Sequence, residues 1–487
     1  DLLSLGRQRR SFHPHLAGRR AGTAGGAVAG GQQQKKMANY QAAQAEADAE
    51  APEDDAQPKP AKVAVAQRPW PTGVTEQIKT VAEVLAYRAH VDAAMGELLS
   101  QPLEPEVADT AIGAGQCDFV AMARKLLADP ELPNKLLAGQ PEAIRPCIYC
   151  YACVSEIFVN RGIKCAVNAQ TGHESTAPIV PAEHAKHVLI VGGGPAGMEA
   201  ARMAVLRGHR VTLVERSDRL GGTLFFAGLA YPENGRLLDY LVRQMQHPRI
   251  EVLLRTTVDA ALLQRLEPDE ILVATGASRA APAIEGAQQT HVWSGDELRR
   301  LMTGDGAEEI AKAKLSLAER ALFKAGGMLG VTDSTQAIQG LSKLWMPLGK
   351  RVVIIGGGLV GLELAEFLLA RGRQVTVLEP GTHAGTELPI VRRWRVIEAV
   401  QDHGQLHLQA QVQRIERKQV VWLNKKGEGQ STEADSVVLA LGAEPDARVA
   451  EQLQALTSLP VRRLGDSAAL GYIEGAMHSG HHAGRTI

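Results

Sequence analysis

From residue 188 onward, short uninterrupted apolar runs recur along the chain and predict buried β-strands. The runs at 188–191 and 352–355 each lead through a Gly-rich turn directly into a helix. A second, mostly apolar run follows each helix, Val-Thr-Leu-Val at 211–214 and Val-Thr-Val-Leu at 375–378. Strands that are apolar at nearly every position suit a sheet that is covered on both faces. The pattern therefore predicts two strand–helix–strand units in tandem, and the repetition indicates an internal duplication.

The chain upstream of these units has a different pattern. Residues 73–100 have helical periodicity, and a short apolar strand at 117–122 is expected to precede a helix at 123–127. Residues 41–60 are rich in Ala, acidic residues and Pro, and they offer little to bury. We therefore predict that residues 1–60 form a disordered or non-native segment, although their basic start is also typical of an organelle transit peptide.

The composition narrows the classes of function. The 487 residues are enough for two to four domains, and the 49 glycines suit α/β folds whose tight turns bind nucleotides. Lys+Arg 53 against Asp+Glu 54 gives no electrostatic case for nucleic acid. No run of about eighteen apolar residues occurs, so no membrane span is expected. Cys117 stands alone and no cysteine follows Cys165, which favours a reduced, cytoplasmic protein.

Four of the five cysteines lie close together, with the spacing C-x2-C-x2-C-x11-C. Thiols grouped in this way are spaced to converge on one metal centre, and an iron–sulfur cluster requires four thiolates. A structural zinc site and a pair of disulfides are the alternatives. Zinc sites usually have two separated C-x-x-C knuckles, whereas the two short gaps here share a middle cysteine. The candidate metal ligands are Cys147, Cys150, Cys153 and Cys165.

The first Gly-rich turn matches a dinucleotide-binding fingerprint. Gly192 allows the tight turn, Gly194 lets a pyrophosphate approach the backbone, and Gly197 lets the helix pack on the strand. Glu215 ends the next strand 23 residues after Gly192, where a carboxylate can bond a ribose hydroxyl. Because the strand, the helix and the terminal acid are all in place, the signal is strong. The candidate contacts of this site are Gly192, Gly194, Pro195, Ala196, Gly197, Glu215 and Arg216.

Three further segments resemble those of FAD-binding flavoprotein reductases. Gly222 lies in a Leu-Gly-Gly sequence after the second strand, and Thr275 and Gly276 end a later strand in an Ala-Thr-Gly turn. Near the C-terminus, Gly465 and Asp466 resemble a pair whose Asp bonds the ribityl chain or the pyrophosphate region of the flavin. The resemblance implies FAD at the first site. Asp466 is also explained as a helix N-cap, and the two roles are compatible.

The second Gly-rich turn repeats the fingerprint. Gly356, Gly358 and Gly361 have the same spacing, and Glu379 lies 23 residues after Gly356. A carboxylate at the strand tip bonds a ribose 2′-hydroxyl but repels a 2′-phosphate, so NADH is favoured over NADPH. Because the Gly465 motif follows this unit, the second domain is predicted to be inserted into the first.

Three histidines lie near the C-terminus, at positions 478, 481 and 482. No acidic ligand accompanies them in this short stretch. Histidines near helix ends are often solvated or paired with the helix dipole. A metal site is therefore not the favoured interpretation here.

The segment before the cysteines adds a family resemblance. Residues 117–130 and 144–147 resemble the end of an old-yellow-enzyme-type flavin barrel, as found in 2,4-dienoyl-CoA reductase, trimethylamine dehydrogenase and related demethylases. The resemblance implies that the four cysteines hold a 4Fe–4S cluster and that Arg124 helps to hold an FMN phosphate. It also leaves ADP as the alternative to FAD at the first site. A (β/α)8 barrel takes about 250 residues, so only a remnant is expected at 61–140, and FMN binding stays open.

The predicted fold class is α/β, with two Rossmann-like (FAD/NAD(P)-binding) domains, one inserted in the other. A 4Fe–4S segment and a (β/α)8-barrel remnant precede them. The predicted divisions are 1–60 for the N-terminal segment, 61–140 for the barrel remnant, 141–180 for the cluster segment, 186–277 for the first part of the FAD domain, 278–450 for the NAD(P) domain and 451–487 for the return to the FAD domain.

The expected function is electron transfer from NADH through FAD and the cluster to FMN or to an external acceptor. In the intact family, the resemblance implies reduction of an enoyl or dienoyl substrate. An N-methyl amine dehydrogenase that exports electrons and a truncated electron-transfer module are the alternatives. A thioredoxin reductase-like activity is rejected because no cysteine pair follows Cys165. The expected partners are a small-molecule substrate or an electron acceptor, with a homo-oligomer left open and the catalytic residues unassigned.

Overall fold

The computed structural model describes residues 105–115, 118, 120–279, 283–303, 307–316, 319–320, 338–340, 342 and 346–487. The linker at 41–60, the helix at 73–100 and Cys117 lie outside the described residues. The chain divides into two compact units, Asp1–Met122 and Ala123–Ile487.

The described elements are named here in chain order. The helices are α1 (Pro105–Gly113), α2 (Ala123–Ala128), α3 (Leu132–Leu137), α4 (Ala152–Phe158), α5 (Pro195–Leu206), α6 (Thr223–Ala230), α7 (Pro232–Gln244), α8 (Ala260–Leu266), α9 (Gly295–Thr303), α10 (Ala307–Lys314), α11 (Leu359–Leu369), α12 (Ile390–His403), α13 (Arg448–Leu456) and α14 (Tyr472–Arg485). The strands are β1 (His187–Val191), β2 (Arg210–Val214), β3 (Ile250–Leu253), β4 (Glu270–Val273), β5 (Ala277–Ser278), β6 (Val292–Ser294), β7 (Arg351–Ile355), β8 (Gln374–Glu379), β9 (Gln405–Leu408), β10 (Gln411–Glu416), β11 (Gln419–Leu423), β12 (Gly429–Glu433), β13 (Ser436–Leu439), β14 (Glu444–Pro445) and β15 (Val461–Arg463).

The first large sheet has five parallel strands in the order β15-β4-β1-β2-β3. Its central strand β1 is buried at every position, as the apolar run at 188–191 predicts for all but its first residue. Val188 of β1 lies opposite Val211 of β2 and Glu270 of β4. The chain leaves this sheet after β4 and returns to it at β15, so the elements between them are inserted.

The second large sheet is also parallel and has the order β6-β13-β7-β8-β9. Strands β10, β11 and β12 form a separate antiparallel sheet. The short strands β5 and β14 pair antiparallel, with Ala277 opposite Pro445 and Ser278 opposite Glu444. Strand β5 lies in the connection that leaves the first large sheet, and β14 lies in the connection that returns to it. Their pairing therefore joins these two connections. The expectation of an α/β fold with parallel sheets is confirmed.

Helix α14 packs along α5, the helix that follows the first Gly-rich turn. A Cβ added to Gly480 would meet the carbonyl oxygen of Ala196, and one added to Gly484 would lie 2.6 Å from the carbonyl oxygen of Ala200. The two helix backbones therefore approach each other closely. This packing fixes the C-terminal helix against the fingerprint helix.

The unit Asp1–Met122 contributes α1, in which Ala111 is buried beside Val107, Val120 and Met122. The strand predicted at 117–122 is wrong for the residues described there, 118 and 120–122, because none of them is in a strand. A strand is held by hydrogen bonds to a neighbouring strand, and no described segment pairs with these residues. The helix predicted at 123–127 is confirmed as α2 in the unit Ala123–Ile487.

Across the described ranges, no helix has the length and apolar character needed to cross a membrane.

Candidate dinucleotide-binding site

The first nucleotide fold, defined here as β1, α5 and β2, makes its turn at Gly192. This residue has φ +113°, and a Cβ there would run into the carbonyl group of Ala274. Its N–H donates to the carbonyl oxygen of Val214 at 2.8 Å, which ties the turn to β2. A Cβ on Gly197 would meet the carbonyl oxygen of Gly192. Only glycine fits at these two positions. Because neither residue has a side chain, the first turn of α5 can begin directly at the edge of the sheet.

Glu215 directly follows β2 beside this turn, and both of its carboxylate oxygens accept hydrogen bonds. Oε2 accepts from the N–H of Gly193 at 2.8 Å. Oε1 accepts from the N–H and the hydroxyl of Ser217, each at 2.8 Å. The carboxylate is therefore held at the position where a dinucleotide fold presents an acid to a ribose. Arg216, the next residue, is exposed.

The N-terminus of α5 faces open space. A Cβ added to Gly194 would have no atom within 4 Å. Pro195 occupies the first helical position, and Ala196 is buried behind it. Gly222 (φ +52°) borders the opening, since its added Cβ would lie 3.3 Å from Cα of Gly194. Open space at a helix N-terminus with free amide donors suits a pyrophosphate group.

The remaining candidate residues of the first site follow the parallel strands β4 and β15, at the same edge of the first large sheet. Thr275 and Gly276 follow β4, and Gly276 has φ +78°. Asp466 accepts from the N–H groups of Gly471 (2.9 Å) and Tyr472 (3.1 Å), at the start of α14. Gly465 donates its N–H to the hydroxyl of Ser479 at 2.8 Å. The Asp466 carboxylate therefore binds the N–H groups at the start of α14, although the N-cap position of that helix is Gly471.

The second nucleotide fold, defined here as β7, α11 and β8, repeats the turn. Gly356 has φ +107° and donates to the carbonyl oxygen of Leu378 at 2.9 Å. Glu379 accepts from the N–H of Gly357 at 2.6 Å and from that of Gly381 at 2.7 Å. As in the first fold, a Cβ on the third fingerprint glycine, here Gly361, would meet the carbonyl oxygen of the first.

In both folds, a loop crosses over the glycine that follows the first fingerprint glycine. In the first fold, Gly221 donates its N–H to the carbonyl oxygen of Gly193, and in the second Gly385 donates to that of Gly357, each at 2.8 Å. The duplication therefore extends beyond the fingerprint into the loop that follows the second strand.

The N-terminus of α11 carries a carboxylate that the sequence reasoning missed. A Cβ added to Gly358 would lie 3.0 Å from Oε1 of Glu387, and the N–H of Leu359 donates to Oε2 of Glu387 at 3.2 Å. The corresponding space in the first fold, at Gly194, is open. Residue-by-residue alignment of the two repeats is the signal that could have found Glu387.

The cysteine segment lies against the core of the first nucleotide fold. Cys165 belongs to that core, and Cys147 and Cys150 pack against it. All four cysteines are free thiols, so a disulfide pair is not formed. Burial raises the pKa of Cys147 to about 11. Burial also raises the pKa values of Cys150, Cys153 and Cys165. Neighbouring thiolates raise the pKa values of Cys150 and Cys165 further.

Backbone N–H groups point at these sulfurs. Tyr149 donates its N–H to Sγ of Cys147 at 3.5 Å. The N–H groups of Ala152 and Val167 act in the same way on Cys150 and Cys165, where each lowers a pKa that burial raises. Donors of this kind stabilise thiolate ligands in iron–sulfur proteins.

Among the residues described, no three His, Cys, Asp or Glu side chains are arranged to hold a single metal ion. A 4Fe–4S cluster is larger than one ion, so its four ligand sulfurs stand further apart than the ligands of a zinc ion. The thiol donor set, the N–H donors and the electrostatic coupling between the cysteines fit a cluster of this kind. The cluster itself stays a prediction.

The guanidinium group of Arg124 lies beside two tyrosines of the cysteine segment. Its guanidinium carbon is 4.8 Å from the ring centre of Tyr149 and 5.1 Å from that of Tyr151, which are cation–π distances. Burial raises the pKa of Cys147 and Cys153, and the Arg124 charge acts in the opposite direction on both. The proposed FMN-phosphate contact of Arg124 is not tested by this arrangement.

A buried charge cluster connects α5, α14 and the cysteine segment. Glu199 of α5 is 1% exposed and accepts two hydrogen bonds of 2.7 Å from Arg202. Arg145, two residues before Cys147, lies 3.9 Å from the Glu199 carboxylate, and His481 lies 3.5 Å from it. Burial would raise the pKa of Glu199, but the Arg202 guanidinium outweighs that effect and holds the pKa well below its usual range.

His478 makes a second link to the cysteine segment. Its Nε2 lies 2.8 Å from the carbonyl oxygen of Cys165. The three C-terminal histidines thus include one that contacts the cysteine segment and one, His481, that contacts Glu199. Sequence reasoning missed both contacts because they join residues more than 280 positions apart.

Comparison with known proteins gives the family. A model of the pyridine nucleotide-disulphide oxidoreductase family matches residues 162–261 and 186–459. The chain is 30% identical over 421 residues to an NADH oxidase of Thermoanaerobacter brockii, covering 84% of this chain and 56% of the relative. It is 34% identical over 346 residues to a bilirubin reductase of Mediterraneibacter gnavus (strain CC55_001C), covering 70% of this chain and 47% of the relative.

A solved structure of a 2-naphthoyl-CoA reductase matches with a TM-score of 0.65 and 28% identity, covering 79% of this chain and 53% of that one. The chain spans about half the length of the curated relatives it matches. The family match covers both nucleotide folds, in agreement with the duplicated turns. The chain belongs to the pyridine nucleotide-disulphide oxidoreductase family.

Proposed function

We propose that the chain is an NADH-dependent flavoprotein oxidoreductase module. FAD binds at the first nucleotide fold, NADH binds at the second, and the four cysteines hold a 4Fe–4S cluster. The observation that carries this proposal is the repeated geometry in which Glu215 and Glu379 each accept the N–H of the glycine that follows the first fingerprint glycine, Gly193 and Gly357. The relatives named NADH oxidase and bilirubin reductase support it, because both names describe redox chemistry that a nicotinamide can supply.

At the first fold, the residues of this chain bind and orient the dinucleotide. The amide groups at the start of α5 donate into the open space at Gly194, where a pyrophosphate fits. Glu215 presents its carboxylate to a ribose. Bound FAD would accept a pair of electrons from NADH and release them one at a time.

At the second fold, Glu379 selects between the two nicotinamide dinucleotides. Its carboxylate is fixed by the N–H groups of Gly357 and Gly381. A fixed negative charge at this strand tip bonds a 2′-hydroxyl and repels a 2′-phosphate. NADH is therefore the proposed donor.

At the cysteine segment, this chain supplies thiolates, N–H donors and nearby positive charge. A bound 4Fe–4S cluster would supply one-electron transfer. Arg124 acts electrostatically on Cys147 and Cys153, and Arg145 acts in the same sense on Cys165, which favours the thiolate forms that ligate iron. His478 holds the carbonyl group of Cys165 against α14.

The final acceptor is proposed to be an external electron carrier or a small conjugated substrate. The name of the 2-naphthoyl-CoA reductase is consistent with a conjugated thioester as one substrate class. Because the chain spans about half the length of its curated relatives, we propose that this substrate binds outside the described residues.

Extraction of cofactors from anaerobically purified protein tests the proposal. Heat-released flavin should be FAD, with about four irons per chain as one 4Fe–4S cluster requires, and NADH should bleach the flavin faster than NADPH. Zinc without iron would refute the cluster, and a preference for NADPH would refute the role of Glu379. Released FMN would support the phosphate contact proposed for Arg124.

A second candidate function is an amine dehydrogenase that exports electrons and needs no nicotinamide. The observation that favours it is the carboxylate of Glu387 at the N-terminus of α11, where a dinucleotide pyrophosphate would lie. This candidate predicts ADP at the first site and flavin reduction by an N-methyl amine. Reduction by NADH alone would exclude it.

A further inference from the structure

The two nucleotide folds can be aligned position by position. The same spacing along the chain separates Gly192 from Gly356, Glu215 from Glu379 and Gly221 from Gly385. Each pair also makes the same backbone contacts. At this spacing, Thr223 of the first fold corresponds to Glu387 of the second. The position two residues after the crossing glycine therefore carries a neutral residue, at the start of α6, in one fold and a carboxylate in the other.

Glu387 lies where a pyrophosphate is expected. Its Oε2 accepts the N–H of Leu359, the first residue of α11, and its Oε1 lies 3.0 Å from the position of a Cβ on Gly358. In a G-x-G-x-x-G turn, the middle glycine and the helix N-terminus are the two features that receive the pyrophosphate. A single carboxylate contacts both of them here.

In the part of the chain that the structure describes, no cation forms an ion pair with the Glu387 carboxylate, and the side chain is exposed. Its hydrogen bond to the N–H of Leu359, at 3.2 Å, is long for a bond to a carboxylate. Such a side chain can swing into solvent without disturbing the packing of α11 or of the loop.

We infer that Glu387 stands in for the dinucleotide pyrophosphate when the second fold is empty, and that NADH binds only by displacing it. Glu387 is thus a determinant of dinucleotide affinity. It stabilises the empty α11 N-terminus, and after displacement its charge stays near the phosphates and repels them. The inference rests on the proposed NADH site and adds the residue that sets how tightly that site binds.

Two substitutions in FAD-loaded protein test the inference by calorimetry. Glu387→Gln removes the charge and keeps the size, and Glu387→Thr recreates the residue of the first fold. Both should lower the Kd for NADH by about tenfold. They should lower the Kd for ADP-ribose, a probe without a nicotinamide, to the same extent. Adenosine, which lacks the pyrophosphate, should bind wild type and variants equally. Glu398→Gln, which neutralises an exposed carboxylate on α12, is the matched control and should leave every Kd unchanged.

The outcomes separate this inference from the function on which it rests. If wild type and both Glu387 variants bind NADH with the same Kd, the displacement is wrong and the NADH site stands. If adenosine binding tightens as much as NADH binding, the effect is not on the pyrophosphate and the inference is also wrong. If no variant binds NADH, the second fold is not a dinucleotide site, and both the proposed function and this inference fall. Retained FAD absorbance shows in each case that the variant is folded.

Discussion

The two nucleotide folds share a turn but differ in what their helices face. Gly192 and Gly356 have φ angles of +113° and +107°, and each is followed by a glycine whose N–H binds a strand-tip glutamate. At Gly194 the space before the helix is open, whereas at Gly358 it holds the carboxylate of Glu387. The fingerprint therefore determines the backbone geometry, and a residue outside the fingerprint determines whether the site is open.

A second difference lies on the helices themselves. Glu199 and Glu363 occupy the same position after the third fingerprint glycine. Arg202 overcomes burial and holds the pKa of Glu199 below its usual range, whereas burial raises the pKa of Glu363 despite Arg392, 3.5 Å away. Carboxyl groups at equivalent positions of the two folds thus have pKa values that their surroundings shift in opposite directions.

The largest expected effect comes from breaking the cluster around Glu199. Glu199→Gln leaves Arg202 and Arg145 buried without their shared anion, so the free energy of unfolding should fall by about 3–5 kcal/mol. Denaturant titration of the FAD-loaded protein measures this, with Glu398→Gln as the exposed control. A loss no larger than that of the control would contradict the role given to the cluster.

The pH dependence of this loss follows from the lowered pKa of Glu199. A depressed carboxyl pKa gives stability that is present above the unfolded-state pKa of about 4.3 and is lost as pH falls through the folded-state pKa. The difference between wild type and Glu199→Gln should therefore be constant from about pH 5 upward and shrink in stronger acid. A difference that grows in acid would have the wrong sign.

An intermediate effect should follow when the first fold is given the residue of the second. Thr223→Glu places a carboxylate at the first position of α6, which corresponds to Glu387 in the second fold, and should weaken FAD binding by about tenfold. A glutamate in the first turn of a helix is favourable, so the fold should tolerate it. Reconstitution of FAD-free protein measures the Kd, with Thr223→Gln as the uncharged control. Equal weakening by Gln would show that size, not charge, matters.

The smallest expected effect is on Glu363. Because its pKa is raised, the folded protein loses stability as pH rises from the unfolded-state pKa through the folded-state pKa. Glu363→Gln removes this cost and should raise the free energy of unfolding at pH 7 by up to about 1 kcal/mol. The sign, opposite to that of Glu199→Gln, is what denaturant titration of the two variants checks.

The fold was predictable where the signal is local. The apolar runs of β1 and β7 and the glycine spacing after them specify a strand, a turn and a helix within about twenty residues each, and both turns are formed. The strand expected at 117–122 is not formed at the residues described there, 118 and 120–122, because a strand also needs a partner, which no local pattern supplies.

The site was less predictable because its decisive contacts are distant along the chain. Glu387 lies 28 positions from Leu359, and His478 lies 313 positions from Cys165. Nothing in the sequence near either residue specifies its partner. Only the comparison between the two repeats, in which Glu387 replaces Thr223, contained a signal that could have been read in advance.

The central claim is that FAD occupies the first fold and NADH the second. Gly192→Ala and Gly356→Ala test it most directly, since each places a Cβ against a carbonyl group at a φ that only glycine readily adopts. Anaerobic NADH titration followed by flavin absorbance gives the measurement. The account predicts that Gly192→Ala loses FAD, whereas Gly356→Ala retains FAD but is no longer bleached by NADH. Bleaching of Gly356→Ala at the wild-type NADH concentration would contradict the account.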